Sequence, residues 1–158
     1  MTVFESPLSA CLVVLALWLG IGICGVIRPD NLRLIARVLF PLSAVCGAAL
    51  ALIAAASIAL PAESVTLVIG LPDLPIHARL DALSGVFLIL LGATSTGISV
   101  FAAGYFRKGE GTAPGLLCLQ YHLFLAAMGF VLVADDAYGF MVAWETMALS
   151  SYFLVTAQ

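Results

Sequence analysis

Residues Tyr138–Thr156 read YGFMVAWETMALSSYFLVT, a run long enough to cross a bilayer with one ionisable residue, Glu145, near its centre. A membrane anchor has no need of a carboxylate there. Placing one at the bilayer centre costs about 2.5–3.5 kcal/mol on insertion scales, so its default reading is functional. Residues sharing its helical face are Tyr138, Met141, Val142, Ala148, Leu149 and Tyr152. The two tyrosines bracket Glu145 about two turns away on each side, placed to hold a water chain or to pack as interfacial aromatics. Ser150 and Ser151 point elsewhere on the wheel and are expected to bond back to their own helix carbonyls or to meet a neighbouring helix.

Working outward, the whole chain has the same character. Of its 158 residues, 63% are hydrophobic and 9% charged, with a mean hydropathy of +1.18. A water-soluble domain of that length would need far more charge on its surface. Five continuous apolar runs qualify as membrane helices: about Pro7–Ile27, Val38–Leu60, Ala82–Phe106, Leu116–Ala134 and Tyr138–Thr156. The expected fold is all-α and integral to the membrane, a single membrane domain over 1–158. Between the second and third runs, loop 61–80 contains SVTLVI, GLPDLP and IHARL, which reads as two short strands around a turn. His77 there reads as a solvated loop histidine. Asp81 is placed to cap the third helix, with Ser84 one turn on.

Five of the six basic residues, Arg28, Arg33, Arg37, Arg107 and Lys108, lie in the first and third connections. The positive-inside rule puts those connections in the cytoplasm, the hairpin-like loop and N-terminus outside and the C-terminus inside. The lipid bilayer, in the form of a bacterial inner membrane, is the expected surroundings. No basic stripe suggests nucleic acid. The start lacks the basic flank and cleavage site of a signal peptide.

Other motifs are weighed and set aside. GIGICG, Gly20–Gly25, matches a dinucleotide-binding pattern, but no strand precedes it and it ends a helix, so close helix packing is the expected use. Ser43, Gly47, Ala51, Ala55 and Ala59 form a strip of small side chains that would seat a neighbouring helix. Cys11, Cys24, Cys46 and Cys118 have no metal-site spacing and read as small buried hydrophobes. Gln120, Tyr121 and His122 near the start of the fourth run read as half-buried interfacial residues, with a proton-relay role for His122 as the alternative. Asp135 and Asp136 form the tight link to the fifth run. No haem, iron–sulfur or flavin ligand set is visible, and no cofactor or metal is expected.

No apolar run supplies a cation for Glu145. It either carries its proton or pairs with a helix outside this sequence. At this point the residues resemble a known family. VLVADDAYGFMVAWETMALSSYFLV, Val131–Val155, is similar to the fifth-helix region of antiporter-like membrane subunits. These are the large membrane subunits of NADH:quinone oxidoreductase, hydrogenase-4 and formate hydrogenlyase subunits, and multisubunit cation/proton antiporters. The AWE-x-M-x-LSSYFLV form looks most like the hydrogenase-type branch. LDALSGVFLILL and GYFRKG, Leu80–Gly109, are similar to the third helix and its exit, and Met128 and Asp135 also match. The resemblance implies that Glu145 is a proton-transfer residue working with a lysine on a later, broken helix. Alongside Glu145, Tyr152, Tyr138, His122, Asp135 and Asp136 are the candidates for a proton path. The resemblance further implies that the chain is the N-terminal part of a larger subunit, partnered by its remainder and by other membrane subunits of a redox-driven complex. A structural membrane scaffold, or a monovalent cation/proton antiporter subunit, are the competing readings.

Overall fold

The computed structural model describes residues 6–71, 74–105 and 113–156. It is mostly helical. Helix α1 spans Pro7–Ile27; α2 spans Leu32–Ser57; a hairpin of β1 (Glu63–Leu71) and β2 (Leu74–Leu80) follows; then come α3 (Ala82–Tyr105), α4 (Pro114–Val133) and α5 (Ala137–Val155). Antiparallel neighbours pack as α1 on α4, α2 on α3 and α4 on α5, with α1 also against α2.

Among the described residues, four helices (α1 to α4) are long and apolar enough to cross a membrane. The expected count of five is therefore not reached by composition. The 19-residue α5 is the exception, diluted by Glu145, Thr146, Ser150, Ser151 and two tyrosines. Its length still corresponds to roughly 28 Å of helical rise.

The largest boundary shift is in the second helix, which begins at Leu32 rather than Val38 and ends at Ser57 rather than Leu60. Pro41 lies inside it. Proline offers no N–H to the carbonyl of Arg37 and crowds it sterically. The chain answers with a π-helical stretch, Ile35–Leu39, in which the Phe40 N–H reaches the Ile35 carbonyl. The other boundaries move by one or two residues; Phe106, Arg107 and Lys108 lie outside the described residues.

The small-residue strip on α2 is confirmed at its first half and corrected at its second. A Cβ added to Gly47 would lie 2.5 Å from Ser95 Oγ and 2.9 Å from the Gly92 carbonyl, so α2 and α3 meet backbone to backbone. A spacing of four drifts around a 3.6-residue helix. Ala55 and Ala59 consequently turn outward, and Leu50, Ala54 and Ser57 take over the buried face. GIGICG behaves likewise: Gly22 and Gly25 press on α4 beside Leu119 and Cys118, while Gly20 faces open space. Cys11, Cys46 and Cys118 are buried, and Cys24 is exposed.

The hairpin ties helix ends together. Glu63 on β1 accepts the Leu8 N–H at 3.1 Å, in the first turn of α1. On β2, the His77 carbonyl accepts the Asp135 N–H at 2.9 Å, and Ala78 bridges Ala134 at the α4–α5 link. His77 is thus not a solvated loop residue. It is half-buried in a strand, with Nδ1 3.0 Å from its cross-strand partner Thr66 Oγ1.

Candidate functional site

Glu145 is positioned from the start of α5. Asp136 is the N-cap; its carboxylate accepts the Gly139 N–H at 2.6 Å and the His77 N–H at 2.7 Å. Those donors, Gly139 first, hold its carboxyl below the usual carboxylate range. Asp81 does the same for α3, accepting the Ser84 N–H at 2.8 Å, which lowers its carboxyl in turn. Nine residues after Asp136, roughly 13 Å along the axis, comes Glu145.

The packed face of α5 is built from Gly139, Ala143 and Ser150, all buried against its neighbours. Ser150 Oγ donates to the Thr146 carbonyl at 2.8 Å, and Ser151 Oγ to the Ala148 carbonyl at 2.8 Å. Both serines thus bond back to their own helix, as expected. The opposite face carries Glu145 and is open. Met141, Val142, Trp144, Leu149 and Tyr152 are all exposed beside it. Among the described residues Glu145 has neither an ion-pair nor a hydrogen-bond partner. Tyr152, 63% exposed, shares the open face, whereas Tyr138 is half-buried at its edge.

A second polar region lies inside the bundle, and it corrects the interfacial reading of His122. That residue is fully buried, flanked by Phe40 at 5.6 Å and Tyr121 at 5.2 Å between ring centroids. Gly22 on α1 makes the room, since a Cβ there would sit 3.2 Å from His122 Cβ. His122 Nδ1 lies 2.7 Å from the Cys118 carbonyl. A carbonyl only accepts, so Nδ1 carries the proton and Nε2 holds the lone pair. Nε2 is buried without a partner among the described residues, as is Gln120 Oε1. Next to the imidazole, Tyr121 OH lies 3.0 Å from Ser99 Oγ and donates to the Ser95 carbonyl at 3.3 Å, while Ser99 Oγ donates to Ser43 Oγ at 3.2 Å. Residues of α2, α3 and α4 are thereby joined in one hydroxyl chain, which single residues in the sequence did not reveal. The signal for it is the spacing of seven in Gly85, Gly92 and Ser99 on α3, three buried small residues on one stripe.

The candidate path residues therefore fall into three places. Glu145 and Tyr152 are on the open face of α5. Asp136 is committed to capping and to the hairpin, with Asp135 exposed beside it and Tyr138 two residues further on in the first turn of α5. His122 belongs to the α1–α2–α4 core and is not brought to Glu145. Among the described residues no group of three or more His, Cys, Asp or Glu side chains is arranged to hold a metal.

No family model matches the chain. It is 34% identical over 80 residues to hydrogenase-4 component B of Escherichia coli (strain K12), a match covering 51% of this chain and 12% of that protein. Uncharacterised proteins of Mycobacterium tuberculosis strains CDC 1551 / Oshkosh and H37Rv are each 36% identical over 89 residues, covering 56% of this chain and 13% of theirs. The chain thus spans about an eighth of the length of the curated relatives it matches.

Proposed function

We propose that the chain belongs to a membrane subunit of a hydrogenase-type complex, in which Glu145 receives a proton and passes it on. The partial likeness to hydrogenase-4 component B supports the coarser half of this reading. The observation that carries the finer half is a lone carboxylate in mid-helix, among apolar side chains, on a helix face that the described residues leave uncovered.

The physical logic is electrostatic. A carboxylate in low dielectric is costly when charged, and its proton affinity responds to any charge brought close. A cation approaching the open face of α5 favours release of the proton; its withdrawal favours uptake. Tyr152 is one candidate to hand the proton along that face, and Tyr138, Asp135 and Asp136 to admit it at the start of the helix. The remainder of the subunit and other membrane subunits supply the covering helices. The orientation proposed from the basic residues is N-terminus and hairpin outside, α1–α2 connection in the cytoplasm, in a bacterial inner membrane. The test is proton translocation by the full-length subunit in its complex after Glu145→Gln, beside an assembly control. Normal pumping at normal abundance would leave a structural scaffold as the better reading.

A further inference from the structure

An open cavity of about 560 Å³ lies between the end of α1 and the start of α2, lined by Arg28, Pro29, Asp30, Asn31, Leu32 and Arg33. It sits where two apolar spans stop, at Ile27 and Leu32, which is the level at which hydrocarbon gives way to headgroups. Both guanidinium groups are exposed, and neither is engaged in an ion pair among the described residues.

Two helix N-termini converge on this corner. The α2 start is fixed there by Asn31, whose side chain accepts the Leu34 N–H at 3.2 Å. The α4 start is held there because Gly115 donates its N–H to the Pro29 carbonyl at 3.1 Å. Gly115 lies so close to the Gly25 carbonyl and to Pro29 that no side chain would fit. Each helix start contributes partial positive charge. Opposing charge comes from the Asp30 carboxylate and from the carbonyl end of α1, where Arg28 is the C-cap residue. Two arginines against one carboxylate leave the lining positive.

We propose that this corner binds the phosphodiester headgroup of an anionic phospholipid. Arginine forks match the paired oxygens of a phosphate. Anionic leaflets attract basic segments that flank membrane helices. The occupant is a lipid because the helix leading into the corner is apolar: Val26 and Ile27, the last residues of α1 before Arg28, are exposed, Ile27 at 70%, and offer a track for an acyl chain. The site is independent of whether Glu145 carries protons.

The test is native mass spectrometry of the full chain in detergent, titrated with phosphatidylglycerol or phosphatidylcholine. Wild-type protein retains phosphatidylglycerol in preference to phosphatidylcholine by about tenfold or more. The double variant Arg28→Gln, Arg33→Gln loses that preference while its thermal unfolding stays unchanged, because neither side chain is packed. Arg79→Gln, on the hairpin, keeps it. If the double variant does not fold, Arg33→Gln alone is read and gives an intermediate loss. An undiminished preference in the arginine variants overturns the proposal. So does an equal loss in Arg79→Gln, or displacement of the lipid by millimolar inorganic phosphate, which would mark a site for free anions.

Discussion

Replacing Gly47 with alanine tests the contact that holds α2 to α3. The added Cβ would lie 2.5 Å from Ser95 Oγ, 2.8 Å from Thr96 Oγ1 and 2.9 Å from the Gly92 carbonyl. Hydroxyls can rotate away, but the Gly92 carbonyl is backbone and fixed by its helix. From the other side, a Cβ at Gly92 would lie 2.6 Å from the Gly47 carbonyl and 2.7 Å from the Ala51 nitrogen. Relief at either position requires the helices to part. Parting them breaks the 3.3 Å bond from Thr96 Oγ1 to the Ala44 carbonyl and loosens the Ser99–Ser43 pair. Overpacking of this kind costs about 1–3 kcal/mol. The helix-propensity gain of Gly→Ala offsets it by up to about 1 kcal/mol. Gly97, five residues beyond Gly92 on the same helix, has nothing within 4 Å of its added Cβ. The expected outcome in detergent thermal unfolding is a lower transition for Gly47→Ala and Gly92→Ala, and an unchanged or higher one for Gly97→Ala. Three equal shifts would refute the backbone contact. A control on α2 belongs at Leu52, which is 72% exposed, since Leu50 is fully buried.

Asp136→Ala should lower stability by about 1 kcal/mol through loss of the α5 cap, and leave the His77 N–H of the hairpin without its carboxylate acceptor. Because the Asp136 carboxyl is held below its unfolded value, its contribution is present above the ordinary carboxylate range and is lost as pH falls through the folded value; unfolding curves for wild type and Asp136→Ala should converge in acid. Membrane orientation is checked by thiol labelling: Asp30→Cys should react from the cytoplasmic side and Ser64→Cys from the outer side, and the reverse pattern would overturn the charge-based assignment.

The parts of the fold legible in the sequence are those set by continuous apolar runs and local caps. Asp81 and Ser84 announced the start of α3 through short-range chemistry that any helix start must satisfy, whereas Asp136 was read only as part of a tight link and its capping of α5 emerges from the structure. The start of α2 was hidden because Arg33 and Arg37 resemble a loop, and a proline at 41 resembles a beginning; the π-helical stretch that accommodates it has no residue pattern of its own. His122 was misread because a polar residue near a helix end fits an interface as well as a core. Only the missing side chain at Gly22, on another helix, decides for the core. For Glu145 the wheel placed the right neighbours, while the direction of the face depended on which stripe packs on α4. Gly139, Ala143 and Ser150 carried that information as a line of small residues.

The most direct measurement is pH-gradient formation in membrane vesicles by the full-length subunit in its complex, comparing wild type with Glu145→Gln. Glutamine keeps the shape and is cheaper to bury than a carboxylate, so packing on α4 and assembly should survive. It neither takes up nor releases a proton in the physiological range. The account predicts a severely reduced or absent gradient at normal complex abundance, with partial activity in Glu145→Asp. A normal gradient from Glu145→Gln at normal abundance would contradict it.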